Sequence, residues 1–544
     1  MAEPGVESAA DKLWWYRDAR LPAPPPPPRR WQWIRREHVV DALGCLALST
    51  LCFSQARSEA LFSGDWGFYN RVALGAPVIV ALLLNLVGLA AVGFLGVRVM
   101  RRTRRPGWSR LAAVAAAAAL LIALNFVRIT HPTVDRWTEA IGRPGLLAVT
   151  LLVLAASFGW PRPALRAIRR LALIASPLAV LTLAHGLWTF LEVAAGPVWR
   201  RVDPAPLSAG PPSLRRVVWL VLEELDQRIL FEARPTGLAL PEIDRLRQES
   251  LYADAARPPA GRPEVSMPAL ITGRPVVAVA PTGPNDLELT FRDGKTARWS
   301  AHPNVFSQAR AMGYDTAVLG WLLPYPRVLG ASLGAADWRS SDAHEQTRAD
   351  TLGQTLWNQW GSLVPPVHVR RLFSQTVAEL GDLAIRTAAD GHFGLVLLHV
   401  PLPRPPGIYD RATGRLTTRN FTRTGGGYLD NLALADVLIA DLRRAIERAR
   451  LGDRTWLVVS GDGWWREAER YDGHMDHRVP FLVRPPEGGR ATHVDAAFNT
   501  LATHDLVLAI LRGSIMDTSD AATWLTRNPM APPRRYTREG LPIY

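Results

Sequence analysis

Cysteine is almost missing from this chain of 544 residues: Cys45 and Cys52 are the only two. They lie seven apart in one apolar stretch and so share a helical face, which excludes a disulfide framework and predicts buried thiols. Lysine is as scarce, with Lys12 and Lys295 alone, so the excess of 63 Lys+Arg over 49 Asp+Glu is carried by arginine. A net charge of +14 suggests a nucleic-acid partner. The placement of the arginines excludes one. Arg98, Arg101, Arg102, Arg104, Arg105 and Arg110 form one acid-free cluster and Arg162, Arg166, Arg169 and Arg170 another, which leaves the remainder nearly neutral.

Polar stripes are also lacking where a soluble helical domain would need them; Leu111–Leu124 has no polar side chain at all. Apolar runs at Val39–Ala56, Val72–Val97, Leu111–Val127, Leu146–Trp160 and Leu171–Trp199 each approach the roughly 20 residues that cross a hydrocarbon core. The sequence therefore predicts an α-helical transmembrane domain of about five spans over residues 39–200. With the N-terminus cytoplasmic, both arginine clusters fall inside. An odd number of crossings then carries everything past residue 200 to the other side. Residues 1–38 contain Trp14, Trp15 and prolines 24–28 but no apolar core of a signal peptide, and predict a cytosolic tail with a stiff polyproline II piece.

After a Pro/Ser-rich linker at 201–212 the pattern changes. Arg216–Glu223, Thr316–Trp321, Phe393–Val400, Thr455–Ser460 and Val479–Val483 are short continuous apolar runs, as expected of strands buried on both faces. Helical patterns separate them at 242–255, 302–313, 344–360, 366–390, 427–450 and 499–512. Residues 213–544 are thus expected to form an α/β domain with a mostly parallel sheet flanked by helices, whose ligands gather beyond the carboxyl ends of the strands.

The first strand ends in Glu223-Glu224-Leu225-Asp226. Carboxylates there suit either a divalent cation or the positive end of a helix. Downstream stand Pro241-Glu242-Ile243-Asp244-Arg245-Leu246, then Ser250, then Ser266-Met267-Pro268-Ala269-Leu270-Ile271-Thr272-Gly273-Arg274. Gly313-Tyr314-Asp315-Thr316-Ala317, Tyr428-Leu429-Asp430-Asn431 and Arg478-Val479-Pro480-Phe481 follow in order. Together these segments resemble the sulfatase and alkaline-phosphatase-like superfamily. Its membrane-anchored branch includes phosphoethanolamine transferases and lipoteichoic acid synthases of bacterial envelopes. The resemblance implies a bacterial inner-membrane protein whose C-terminal domain is periplasmic, and phosphate- or sulfate-ester chemistry on envelope lipids or glycans.

Residue by residue, the resemblance places metal ligands at Glu223 and Asp462, the latter in Ser460-Gly461-Asp462-Gly463-Trp464-Trp465. Gly463 stands where the family has histidine, and Pro263 stands at the nucleophile position. His474 and His477 compete for the last ligand position, against the ordinary alternative of solvated loop histidines. His399 and Arg404 follow the third matched strand and, with Glu224, are candidates for binding substrate or an anion; Arg404 occupies a position where the family has histidine. Two carboxylates without a cation repel, and the Arg404 guanidinium could supply the missing charge instead of remaining an exposed loop arginine. Ser266 reads as a helix N-cap or as a surrogate nucleophile.

The resulting expectation is a catalytically degenerate, membrane-anchored sulfatase-like protein. It binds an envelope lipid, a glycan or a protein partner besides the bilayer, and takes no cofactor. The alternative is an active sulfatase or phosphoryl hydrolase or transferase holding one divalent ion, Zn, Mn, Mg or Ca.

Overall fold

A computed structural model describes residues 36–194 and 215–544, apart from 63, 73, 104, 341–345 and 421–424. Residues 1–35 of the expected tail and the whole 201–212 linker lie outside the described residues. Seven helices come first: α1 (Arg36–Cys52), α2 (Ser54–Leu61), α3 (Ala76–Thr103), α4 (Pro106–Thr130), α5 (Pro132–Gly159), α6 (Pro161–Ile174) and α7 (Ser176–Ala194). Three of them, α3, α4 and α7, are long and apolar enough to cross a membrane. The count reaches five if α1 with α2, bent by 74°, and the later part of α5 with α6, bent by 114°, are each one span.

The expected boundaries shift where proline and glycine interrupt the helices. The segment 161–170, between two of the expected apolar runs, is most of helix α6, entered through Pro161; a new helix starts at Ser176, so the apolar run that begins at Leu171 is broken near Ala175. The 128–143 stretch is largely helical and breaks at Gly142, whose φ of 71° is left-handed. Asp41 on α1 pairs with Arg101 of α3 at 2.7 Å and Arg169 of α6 at 3.2 Å, so both arginine clusters meet at one end of the bundle.

The second half folds around an eight-stranded sheet. Its strands are β1 (Arg216–Glu223), β2 (Leu251–Ala253), β3 (Asp315–Trp321), β4 (Ala335–Arg339), β5 (Phe393–Pro403), β6 (Thr455–Gly461), β7 (Phe481–Arg484) and β8 (Thr492–Val494). They are ordered β8-β2-β7-β6-β1-β5-β3-β4, and all run parallel except β7. The helices used below are α8 (Pro241–Gln248), α9 (Pro263–Thr272), α10 (Leu352–Gly361), α11 (Pro365–Ala388), α12 (Gly426–Arg448) and α13 (Thr503–Arg512).

Central strand β1 shows why the runs are continuous. Val217, Trp219 and Val221 join the core under α9 and α13, while Val218, Leu220 and Leu222 join the core under α11 and α12. Each fully buried aliphatic side chain contributes about 1.5–3 kcal/mol, so both faces must be apolar. The expected helix at 242–255 stops at Gln248 because Leu251–Ala253 pairs with β7 and β8. A separate antiparallel sheet of Val276–Pro281, Leu287–Phe291 and Thr296–Arg298 was not legible in the sequence pattern.

Candidate functional site

Strands β5, β1 and β6 are neighbours, and their carboxyl ends bring His399, Arg404, Glu223, Glu224 and Asp462 into one region. The β1–β5 register shifts between Leu222 and Glu223, and Glu224 then takes a left-handed φ of 61°. A non-glycine residue in that region is strained and persists only when its surroundings hold it. They do so here. The Glu224 amide donates to Asp462 Oδ1 at 3.3 Å, and its carbonyl accepts from the Tyr428 hydroxyl at 2.8 Å. The same hydroxyl accepts from the Asp226 amide at 3.1 Å, and the Tyr428 ring stacks on Trp465 at 3.9 Å. Strand alternation would send consecutive glutamates to opposite faces; the left-handed turn lets both reach one arginine.

That arginine is Arg466. It donates to Glu224 Oε1 from Nε at 2.8 Å and again from a terminal nitrogen, which also lies 3.2 Å from Glu223 Oε1. Arg404 stands farther off, with Nε 3.6 Å from Glu223 Oε1 and its guanidinium over the Trp321 ring at 4.8 Å. The expected compensating cation is thus shared, and Arg466 is the closer partner. Sequence reasoning passed over it, although an arginine four residues beyond Asp462, in the same strand-end loop, was visible in Gly463-Trp464-Trp465-Arg466.

Burial pushes the Glu223 carboxyl well above the usual range; Arg404 opposes this, and the Asp462 carboxylate adds to it. Burial alone would lower the Arg466 guanidinium, but the Glu224 and Glu223 carboxylates hold it above its ordinary value.

His399 is fully buried, and its Nδ1 lies 2.8 Å from the Tyr325 hydroxyl. Burial, with Asp462 and Glu223 nearby, raises the Tyr325 phenol well above its ordinary value. A phenol held neutral keeps its proton and can either donate to Nδ1 or accept from an Nδ1–H. Nε2 faces Asp462 Oδ2 at 3.6 Å, too long for a hydrogen bond. Glu223 Oε2, Asp462 Oδ2 and His399 Nε2 are buried without a hydrogen-bond partner among the described residues.

The remaining candidates do not complete a metal centre. Pro263 is the first residue of α9, whose N-cap is Arg262; Ser266 therefore is not the cap but lies inside the helix, fully buried, its hydroxyl without a partner among the described residues. A Cβ on Gly463 would come within 3.2 Å of the Gly261 backbone, and one on Gly261 within 2.3 Å of the Trp464 ring. The two glycines interlock, leaving little room for a histidine at 463. His474 is an exposed residue whose Nδ1 meets the Asp472 carbonyl at 3.0 Å. His477 packs edge-on against Trp464 at 4.4 Å, and burial lowers its pKa. Among the described residues no three His, Cys, Asp or Glu side chains are placed to hold a metal ion.

A divalent ion fits this set poorly. Glu223 and Asp462 offer oxygens, but two guanidiniums already lie on Glu223, and among the described residues no group of three His, Cys, Asp or Glu completes a set of ligands such as zinc needs. A proton on Glu223 relieves its repulsion with Asp462 without any metal.

No family model matches this sequence, and no curated protein matches it. Among solved structures, it is similar to Ps i-CgsB in complex with k-i-k-neocarrahexaose, at 14% identity and a TM-score of 0.40, over 58% of this chain and 77% of that one. It is similar also to a protein in the alkaline phosphatase superfamily from Vibrio parahaemolyticus, at 14% identity and a TM-score of 0.35, over 57% and 68%. A third similar structure is the lipoteichoic acid synthase LtaP from Listeria monocytogenes, at 12% identity and a TM-score of 0.36, over 55% of this chain and 72% of that one.

Proposed function

We propose that this chain is a membrane-anchored sulfatase-like protein of the bacterial cell envelope whose catalytic centre is degenerate, and which binds an envelope lipid, a glycan or a protein partner. The observation that carries this reading is the seating of Arg466 on Glu223 and Glu224, where the resemblance puts a divalent cation. A guanidinium neutralises carboxylates but neither generates a nucleophile nor opens a coordination position for an ester oxygen. Pro263 removes the covalent route as well. Loss of nucleophile and ion together lowers turnover by several orders of magnitude, given about 3–4 kcal/mol for a single transition-state donor.

The partnerless Glu223 Oε2, Asp462 Oδ2 and His399 Nε2 favour a second reading, an active metal-dependent hydrolase or transferase. One experiment separates the two: metal analysis of the purified full-length protein with turnover of aryl phosphate and aryl sulfate in detergent. The degenerate reading expects less than a tenth of an equivalent of metal and no turnover above background. One equivalent of bound ion, with turnover abolished by Glu223→Gln, overturns it.

A further inference from the structure

Helix α10 is built inside out. Its buried residues are Thr355, Asn358 and Gln359, all polar, while Leu352, Trp357 and Trp360 are exposed. The outward stripe continues past the helix end through Val364 and Val367, so that Gly353, Trp357, Trp360, Val364 and Val367 recur at spacings of four and three. Trp357 is 66% exposed and Val364 59%. Outside this stretch, the described part of the α/β domain exposes only Leu416, Val437, Met475 and Met516 among its large apolar residues, scattered singly. A polar interior with an aromatic exterior is unfavourable in water and favourable in hydrocarbon.

The inward polar side chains are not idle; they lock this segment onto the membrane helices. Trp360 Nε1 donates to Asn85 Oδ1 of α3 at 2.9 Å, and Asn85 Nδ2 donates to Gln359 Oε1 at 2.8 Å. Gln359 Nε2 donates to the Val78 carbonyl at 3.3 Å, and the Trp360 ring meets Phe53 edge-on at 5.3 Å. Just upstream, the Thr347 amide and hydroxyl donate to Glu59 Oε2 at 2.9 and 2.6 Å. Asn85 lies about 13 Å into α3 from Ala76, at the end of the bundle away from Arg98 and Arg101. Counting about 30 Å of hydrocarbon outward from Arg98 reaches about Val78, so the Asn85–Trp360 bond lies at membrane depth.

We infer that Leu352–Val367 is a membrane-embedded element of the α/β domain, its Trp357–Val364 face seated among lipid chains of the leaflet that the domain adjoins. The occupant of that face is lipid, because the element is bonded directly to α3, where Val87, Val92 and Leu95 are exposed, and because tryptophan is the side chain that membrane interfaces favour. The domain is thereby held by its own chain at the bilayer and not only tethered through α7. A pocket of about 410 Å³ beside Trp357, lined by Arg71, Arg339, Arg348 and Arg371, lies on the same junction.

The test uses full-length protein in phosphatidylethanolamine and phosphatidylglycerol liposomes, with Cys45 and Cys52 replaced by alanine and single spin labels at Trp357→Cys or Val364→Cys. Val92→Cys serves as lipid reference and Met475→Cys as water reference. Collision with oxygen near the Val92 value, and collision with a nickel chelate several-fold below the Met475 value, is the expected result. Nickel access equal to Met475 overturns the proposal, and so does protection from both reagents, which indicates a protein occupant. Both labelled side chains are exposed, so the substitutions leave the packed side of the element intact.

Discussion

Arg466 donates to Glu224 through both Nε, at 2.8 Å, and a terminal nitrogen, a fork that fixes the left-handed residue at the tip of β1. Two donors of one guanidinium converge on the single oxygen Oε1, and charge-assisted bonds of this kind are stronger than neutral ones, so Arg466 sets where that oxygen of Glu224 lies.

Removing Arg466 takes the guanidinium off buried Glu224 and leaves Glu223 with Arg404 alone, whereas removing Arg404 takes a more distant charge from Glu223 only. Breaking a buried pair costs about 3–5 kcal/mol; the Arg466 side chain, 35% exposed, is screened, which reduces the expected loss to about 2 kcal/mol. Arg404→Ala is expected to cost about 1 kcal/mol or less. Thermal unfolding of both variants checks the order, and an Arg466→Ala protein as stable as wild type contradicts the charge-replacement account.

Glu223 gives stability a pH dependence of definite sign. Its folded pKa lies above the unfolded value of about 4.3, so the folded state holds the proton more tightly and stability falls as pH rises from there towards the folded pKa. Asp226, pushed up by burial to about 6, acts in the same direction and is common to both proteins compared. Glu223→Gln carries no such penalty. Its melting temperature relative to wild type is expected to climb as pH rises above the unfolded value of about 4.3; a difference that stays flat or declines sinks the assignment.

Gly463→His should not rebuild a metal site. A Cβ there stands 3.2 Å from Gly261 backbone atoms, which cannot rotate away as a side chain would. Overpacking of this kind costs about 1–3 kcal/mol. A lower melting temperature and unchanged zinc content are expected; a gain to one equivalent of zinc contradicts the packing argument.

Arg327 joins the two halves of the molecule. It donates to the Phe68 and Asn70 carbonyls at 3.2 and 2.5 Å, and to Pro284 at 3.0 Å, while its guanidinium covers Trp338 at 5.1 Å. Hydrogen bonds from a charged donor contribute about 1.5–3 kcal/mol. Arg327→Ala should therefore free the 64–72 loop, seen as several-fold faster tryptic cleavage at Arg71. An unchanged cleavage rate removes this role.

Much of the architecture was legible before any coordinates, for local reasons. Val217 to Leu222 had to be a strand because every side chain was apolar in a run too short for a helix, and Leu111–Leu124 stood out as part of a long apolar helix because it has no polar side chain. Glu223 was legible at the end of a strand-like run, where ligands of a parallel sheet gather, and Asp462 only through the family resemblance of Ser460–Trp465. The antiparallel Val276–Arg298 sheet was not, since its exposed strands alternate weakly, and neither was the short β2, which exists only through its pairing with β7 and β8.

By itself the sequence determined that apolar helices precede an α/β domain, because hydrophobic period and residue identity act locally. Only the tertiary structure decided which arginine neutralises Glu223 and Glu224, that Gly261 closes the space at Gly463, and that Trp357 of α10 faces outward while Trp360 meets α3. Each of those depends on distances between segments far apart along the chain, and no pattern within one segment encodes them.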